Sequence, residues 1–256
     1  MEKAELTKEV ARLKNSKQAY LNDTYMWVTT CISSLKEMKG TELVYNVPAA
    51  KNFRKDGVVT RQDKAGIIKR IVDQDIYFSA FVSSVSCVED FFSKVMRLSL
   101  KFDNDRLKHL TQGINSDIKY TLIEIIDFGS KDEIINDAIE QRITSVLYAS
   151  PKNQVEYMKK IFGINLSEDI WSKWFEVKAT RDIIVHNEAI INKVYLEKAG
   201  ALARGQKDSC IAITDDYFRE VLALMKSLMI KIQQSIENEF DTETVLTVDA
   251  KIKKSK

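Results

Sequence analysis

The stretch AGIIKRIVDQDIYFSAFVSSVSCVEDFFSKVMRLSLK, residues 65–101, contains the clearest periodic pattern of the chain. Steps of four and three residues alternate along it, and such steps place side chains on one face of an α-helix. The pattern predicts one long helix with an apolar stripe that only Gln74 interrupts. The positions of the stripe are Ile67, Ile71, Gln74, Phe78, Phe81, Val85, Val88, Phe92 and Val95.

Helical patterns also account for most of the remaining chain. The first 38 residues predict one or two helices, with a break at Leu21–Thr24 and an end at Gly40. Residues 40–65 have no sustained period and predict a long loop with a short extended piece at Leu43–Val47. Further helices are predicted over Asn104–Phe128 (one helix or a pair), Lys131–Ala149 and Ser150–Phe162, after the N-caps Ser167 and Thr214, with a brief extended segment at Cys210–Ile213.

These elements predict an all-α bundle of antiparallel helices in three parts. Residues 1–65 form an N-terminal helical extension and a basic loop, residues 66–240 a helical domain, and residues 241–256 a flexible basic tail. The loop is either an RNA-contacting segment or a solvated surface loop. Its basic residues are Lys51, Arg54, Lys55, Arg61 and Lys64, with Phe53 among them.

The composition limits the classes of function. Of 256 residues, 45% are hydrophobic, which supplies a core, and only 2 are proline and 8 glycine, which favours long helices. The formal charge of +2 is nearly balanced, so a nucleic-acid site has to be a local concentration of charge. Three scattered cysteines and two histidines predict neither a disulfide framework nor a zinc site, and no cofactor is expected. No signal-peptide core and no membrane-spanning run are present, so we expect a cytoplasmic protein.

The segment Lys178–Asn187 carries the candidate chemistry. Arg181 falls where the apolar stripe of its helix calls for an apolar residue, so a carboxylate, a partner chain or a phosphate has to compensate its charge. His186 changes charge near neutral pH, and Asp182 precedes it by four residues, where it can orient the imidazole.

Arg181 and His186 lie about 140° apart around an ideal helix. Either the helix ends near His186, the long arginine reaches around it, or two copies of the helix meet at a two-fold axis and pool their residues. An ordinary surface network near a helix C-terminus accounts for the same residue types.

The sequence around this segment resembles the signature helix of the HEPN superfamily. In that family a helix ends in an arginine, four to six further residues and a histidine, with a polar residue directly after the arginine. The corresponding residues here are Arg181, Asp182, His186 and Asn187, and an Asn-x-x-Tyr-Leu stretch follows at Asn192–Leu196. The resemblance covers roughly residues 66–238.

Two further segments carry the resemblance. The helix Phe78–Leu100 is similar to the first family helix, and Cys210–Ile236 is similar to the final extended piece and helix. Glu89 and Asp90, in the middle of the first of these, are possible supporting carboxylates, either as a partner for Arg181 or in an active site.

The resemblance implies a homodimeric, metal-independent endoribonuclease that acts as a toxin or an antiviral effector and is restrained by an inhibitor, an antitoxin or a sensor partner. His186 would be the general base or acid in attack of the RNA 2′-OH on the adjacent phosphate. Arg181 would hold that phosphate, Asp182 would orient or polarise, and Asn187 would donate a hydrogen bond. The chain departs from the family in having aspartate after the arginine, where asparagine is frequent, and Glu188 where some members have a modified tyrosine.

The alternative is a catalytically inactive helical module that binds or scaffolds through the same dimer surface. Among the other notable residues, His109 is expected in a surface or helix-capping role. Trp171 and Trp174 lie on apolar stripes and are expected in the core or at a dimer interface.

Overall fold

The computed structural model describes residues 3–37, 64–109, 111–114 and 118–254. The predicted end of the first helix at Gly40, the extended piece at Leu43–Val47 and the basic loop lie outside these ranges, except that Lys64 begins a helix.

The predicted all-α architecture is confirmed. Over the described ranges the chain is helical and forms no sheet, and its β-pairing is an isolated antiparallel bridge between Ile190 and Cys210. The helices are α1 (Lys3–Glu37), α2 (Lys64–Arg70), α3 (Ile76–Phe102), α4 (Leu122–Asp127), α5 (Lys131–Tyr148), α6 (Pro151–Phe162), α7 (Glu168–His186), α8 (Lys193–Ala199) and α9 (Asp215–Lys254).

Residues 65–101 lie in one continuous helical segment that contains a defect. A π-helical turn, Ile71–Asp75, joins α2 to α3. Before Phe78, the buried residues are Val72 and Ile76 and not the predicted Ile71 and Gln74, because a π turn is wider than an α turn and rotates the preceding residues relative to α3. From the defect onward the predicted stripe is correct, with Phe81, Val85, Val88, Phe92 and Val95 all buried.

Helix α1 packs along α3 and α9 and shares their core. Of the one or two helices predicted here, the structure shows one, because α1 continues without interruption through Leu21–Thr24. Leu21 is fully buried, and the Thr24 hydroxyl donates to the Tyr20 carbonyl at 2.8 Å and stays within the helix. The polar pair between them, Asn22 and Asp23, lies on the exposed face, where it costs the helix little.

The helix or helix pair predicted over Asn104–Phe128 is wrong for most of that range. A 3₁₀ turn, Asn104–Lys108, follows α3, and the next α-helix among the described residues is α4. The turn brings Arg106 into the core, where it is 5% exposed and bonds to the Asp103 carboxylate at 2.9 Å, the Ile161 carbonyl and the Glu239 carboxylate. A buried guanidinium needs such partners, and a regular helix pattern does not reveal them.

The corner between α5 and α6 follows the prediction. Ser150 is the N-cap of α6, with its hydroxyl accepting from the Asn153 amide at 3.3 Å, and Pro151 occupies the first helical position. Gly163 ends α6 with a φ of 64°, a left-handed conformation that favours glycine.

The last helix begins as predicted and extends further than predicted. The Thr214 hydroxyl accepts from the Tyr217 amide at 3.2 Å and so caps α9. The backbone stays helical to Lys254, through the part expected to be a frayed tail, because no glycine or proline after Thr214 stops the helix. Within the described ranges, no helix combines the length and the apolar character needed to cross a membrane.

Helix α7, which carries the candidate motif, packs against α3, α8 and α9. Trp171 and Trp174 are 5% and 2% exposed and pack on Phe92 of α3, so their expected core placement is confirmed. This packing fixes the motif end of α7 beside the middle of α3.

Candidate functional site

The candidate site lies at the C-terminal end of α7. The helix ends at His186, and Asn187 is its C-cap. The Asn187 backbone amide donates to the Ile183 carbonyl at 2.9 Å, and its side chain donates to the Ile190 carbonyl at 2.7 Å. Of the three arrangements left open by the sequence, the structure of one chain shows the first, in which the helix stops at the histidine.

The turn after the helix is conformationally strained. Glu188 and Ala189 have φ values of 52° and 60°, in the left-handed region that costs a residue with a side chain roughly 1–2 kcal/mol. The surrounding bonds hold the turn, since the Ala189 amide donates to the Ile183 carbonyl and the Ile211 amide to the Ala189 carbonyl. Strain of this kind is typical of functional sites.

A groove of about 840 Å³ runs beside this helix end. Its lining comes from α3, the α5–α6 corner, α7 and α8. All four candidate catalytic residues, Arg181, Asp182, His186 and Asn187, line it. Glu89 lines it too, whereas Asp90 does not and pairs with Lys17 at 2.5 Å and Lys94 at 2.8 Å. A volume of this size suits a small ligand or a few units of a polymer.

Arg181 is held between two carboxylates. Its Nη2 donates to Glu89 Oε2 at 2.7 Å, and its Nη1 lies 3.2 Å from Asp182 Oδ1. Its Nε is buried and has no acceptor among the described residues. Glu89 therefore supplies the compensation that the position of Arg181 required, and among the described residues the buried Nε donor stays unused.

Two lysines extend this ion network along the groove. Lys178 Nζ lies 3.3 Å from Glu89, and Lys198 Nζ lies 3.0 Å from Asp182. Three cations (the two lysines and Arg181) minus two carboxylates leave one positive charge at the groove before His186 is counted. Neither lysine is predicted as a site residue from the sequence. The three-residue step from Lys178 to Arg181 was an available indication, but nothing local pointed to Lys198.

His186 is exposed, and its side chain has no hydrogen-bond partner within the described chain. The expected contact with Asp182 is absent, because that carboxylate is bonded to Arg181 and Lys198. Charge-assisted bonds of this type are stronger than a bond to a neutral imidazole. The imidazole is therefore free to meet a ligand in the groove but lacks an orienting carboxylate in this state.

A buried polar network, which the sequence pattern does not predict as a unit, lies beneath the groove. Its hub, Glu176, is 4% exposed and is five residues before Arg181 on α7. Glu176 Oε1 accepts from the Thr180 hydroxyl at 2.7 Å, the Tyr195 hydroxyl at 3.0 Å and Arg204 Nε at 3.1 Å. Its Oε2 accepts from the Tyr217 hydroxyl at 2.6 Å.

Arg204 joins the pieces of this network. Its guanidinium lies 3.5 Å from the centre of the Tyr217 ring, and its Nη1 donates to the Ala212 carbonyl at 2.8 Å. Burial, and next the negative charge of Glu176, raise the pKa of Tyr217 well above its ordinary value. The network ties α7, α8, the segment after α8 and the start of α9 together, and so it holds the floor of the groove.

His109, the second histidine of the chain, does not line the groove. His109 is exposed at the end of the 3₁₀ turn, where its carbonyl accepts from Arg142 at 3.2 Å. Among the described side chains, no group of three or more His, Cys, Asp or Glu is placed to hold a metal ion.

Comparisons of the chain with protein-family models, with curated proteins and with solved structures give no match.

Proposed function

We propose that this chain is a metal-independent endoribonuclease of the HEPN type. The observation that carries the proposal is that Arg181 and His186 line one open groove, and that the exposed His186 has no hydrogen-bond partner among the described residues. A guanidinium can hold a phosphate and an imidazole can transfer a proton, which are two of the roles in cleavage of RNA by its own 2′-OH. The net positive charge beside them favours a phosphate.

The proposed reaction is the attack of an RNA 2′-OH on the adjacent phosphate. His186 takes the proton of a 2′-OH, whose oxygen attacks the adjacent phosphorus while the bond from phosphorus to the 5′-oxygen breaks. Arg181 stabilises the charge that develops on the phosphate oxygens. The products are a 2′,3′-cyclic phosphate and a 5′-OH end. Because the reaction uses the 2′-OH, DNA is not a substrate.

The departing 5′-oxygen needs a proton from a second group. Only one histidine of the chain lines the groove, since His109 lies outside it. We therefore propose that a second copy of the chain supplies a second His186, in a homodimer with a composite site. In the cell such an enzyme would act in the cytoplasm as a toxin or an antiviral defence effector, under the control of an inhibitor, an antitoxin or a sensor.

The test is cleavage of total RNA in the presence of EDTA by the wild-type protein, Arg181→Ala and His186→Ala, followed by mapping of the RNA ends. We expect cleavage with 2′,3′-cyclic phosphate ends by the wild type and its loss in both variants. His109→Ala and Arg97→Ala are matched controls, because His109 is the other histidine and Arg97 also pairs with a carboxylate across two helices, Glu140 at 2.5 Å. Equal background in all five proteins contradicts the proposal.

One observation favours a second candidate, an inactive binding module. Both carboxylates near Arg181 are bonded to it, and Asp182 bonds to Lys198 and leaves His186 unoriented. In that case the groove binds a phosphate ligand without turnover. Tight RNA binding that depends on Arg181, combined with no cleavage under any condition, would support this module over the enzyme.

A further inference from the structure

The α5–α6 corner presents an aromatic ring to the groove. Tyr148, the last residue of α5, is 88% exposed, the highest value among the exposed large hydrophobic side chains of the described chain. Its hydroxyl has no hydrogen-bond partner among the described residues. The ring lines the groove together with Arg181 and His186. Because the ring is so exposed, packing in the core does not explain its presence.

The backbone on both sides of this ring is fixed. The Gln154 side-chain amide donates to the Leu147 carbonyl at 2.8 Å and to the Ala149 carbonyl at 3.0 Å, the two residues that flank Tyr148. Ser150 and Pro151 then start α6. A ring presented from a fixed corner loses less conformational freedom on binding than a ring on a free loop.

The lining of the groove has two chemical parts. Cationic side chains come from α7 and α8, and apolar surface comes from the corner and from the start of α8, where Val194 is 54% exposed. A nucleotide has the matching two parts, a charged phosphate and a flat base. Bases stack on exposed aromatic rings in proteins that bind single strands.

We propose that Tyr148 is a stacking platform for an unpaired base of the nucleotide whose phosphate lies against Arg181. The substrate class is then single-stranded RNA, since the bases of a duplex are not free to stack on a protein ring. The choice of RNA rests on the proposed function; the base platform rests on the exposure of Tyr148, the fixed corner and the shared groove.

The test uses binding, so that it does not depend on cleavage. The probes are a fluorescent 2′-O-methyl adenosine octamer, which has no free 2′-OH to react, and an octamer of the same backbone without bases. Fluorescence anisotropy compares wild type, Tyr148→Ala, Tyr148→Phe and Trp27→Ala. Trp27 is the matched control, because it is 48% exposed on α1 and does not line the groove.

We expect the wild type to bind the octamer with bases at least ~10-fold more tightly than the one without, in line with alanine replacements of stacking aromatics. Tyr148→Ala should lose most of this preference, whereas Tyr148→Phe and Trp27→Ala should keep it. Thermal unfolding should be unchanged in Tyr148→Ala, since the ring is outside the core.

Three outcomes overturn the inference: no preference in the wild type, an unchanged preference in Tyr148→Ala, or an equal loss of affinity for both octamers. The failure of the proposed function shows separately, as an absence of cleavage of ordinary RNA. A protein that shows the Tyr148-dependent preference without cleaving RNA supports the base platform and contradicts the nuclease.

Discussion

Replacement of Glu176 by alanine should destabilise the protein strongly. The side chain of Glu176 is 6% exposed and accepts bonds from Thr180, Tyr195, Arg204 and Tyr217. Removing one partner of a buried ion pair costs about 3–5 kcal/mol, because the other charge is left without compensation. The side chain of Arg204 is 23% exposed and keeps its bond to the Ala212 carbonyl, so we expect a loss of about 3 kcal/mol, the lower end of that range.

Urea denaturation followed by circular dichroism measures this loss. Glu176→Gln keeps the shape and one acceptor oxygen and should lose less, about 1–2 kcal/mol. Arg204→Ala and the double variant complete a double-mutant cycle. The coupling energy between the two side chains should be at least ~1 kcal/mol, because the free-energy changes of variants within one network are not additive. A loss below ~1 kcal/mol in Glu176→Ala, or full additivity in the cycle, would refute the description of this network.

Three further predictions concern the groove and the fold. Glu89→Gln should bind the base-free octamer roughly 5-fold more tightly at low salt, because the Glu89 carboxylate no longer competes with the phosphate for Arg181. An unchanged affinity in fluorescence anisotropy argues against this competition. Tyr217→Phe should have a lower free energy of unfolding than wild type at pH 8, and the difference between the two proteins should narrow towards pH 11. Above about pH 10 the unfolded wild-type chain releases the tyrosine proton, whereas the raised pKa keeps this proton on Tyr217 in the folded protein. The wild type therefore loses stability over this pH range, and the variant does not lose this contribution. An equal difference in the free energy of unfolding at the two pH values, measured by urea denaturation, would count against the raised pKa of Tyr217. Gly163→Ala should lower the free energy of unfolding by about 1–2 kcal/mol, since φ at this position is 64° and the new Cβ meets the Glu239 carboxylate. A urea midpoint equal to that of the wild type would show that the turn adapts.

Local sequence patterns are sufficient to predict a structural property that depends on residues close together along the chain. Helix caps such as Ser150 and Thr214 were predicted, because a hydroxyl bonds an amide three residues away. The predicted apolar stripe is correct along α3, where Phe78 is partly buried and the members from Phe81 onward are buried. It is shifted before α3, since a π turn changes the helical repeat without changing the residue types. Of the two alternatives for the first helix, the single helix α1 formed, because polar residues in one turn weaken a helix only where no packed face supports it.

The features of the candidate site also divide into those that the sequence determines and those that only the tertiary structure decides. The sequence alone determined that an arginine and a histidine stand at the end of one helix, and that the arginine needs a carboxylate. Only the tertiary structure selected Glu89 over Asp90, separated from Arg181 by 92 residues of chain, because the crossing of α3 and α7 decides which of two adjacent carboxylates faces the arginine. It also brought Lys198 to Asp182 and Tyr148 to the groove, contacts between separate elements that no spacing along the chain specifies.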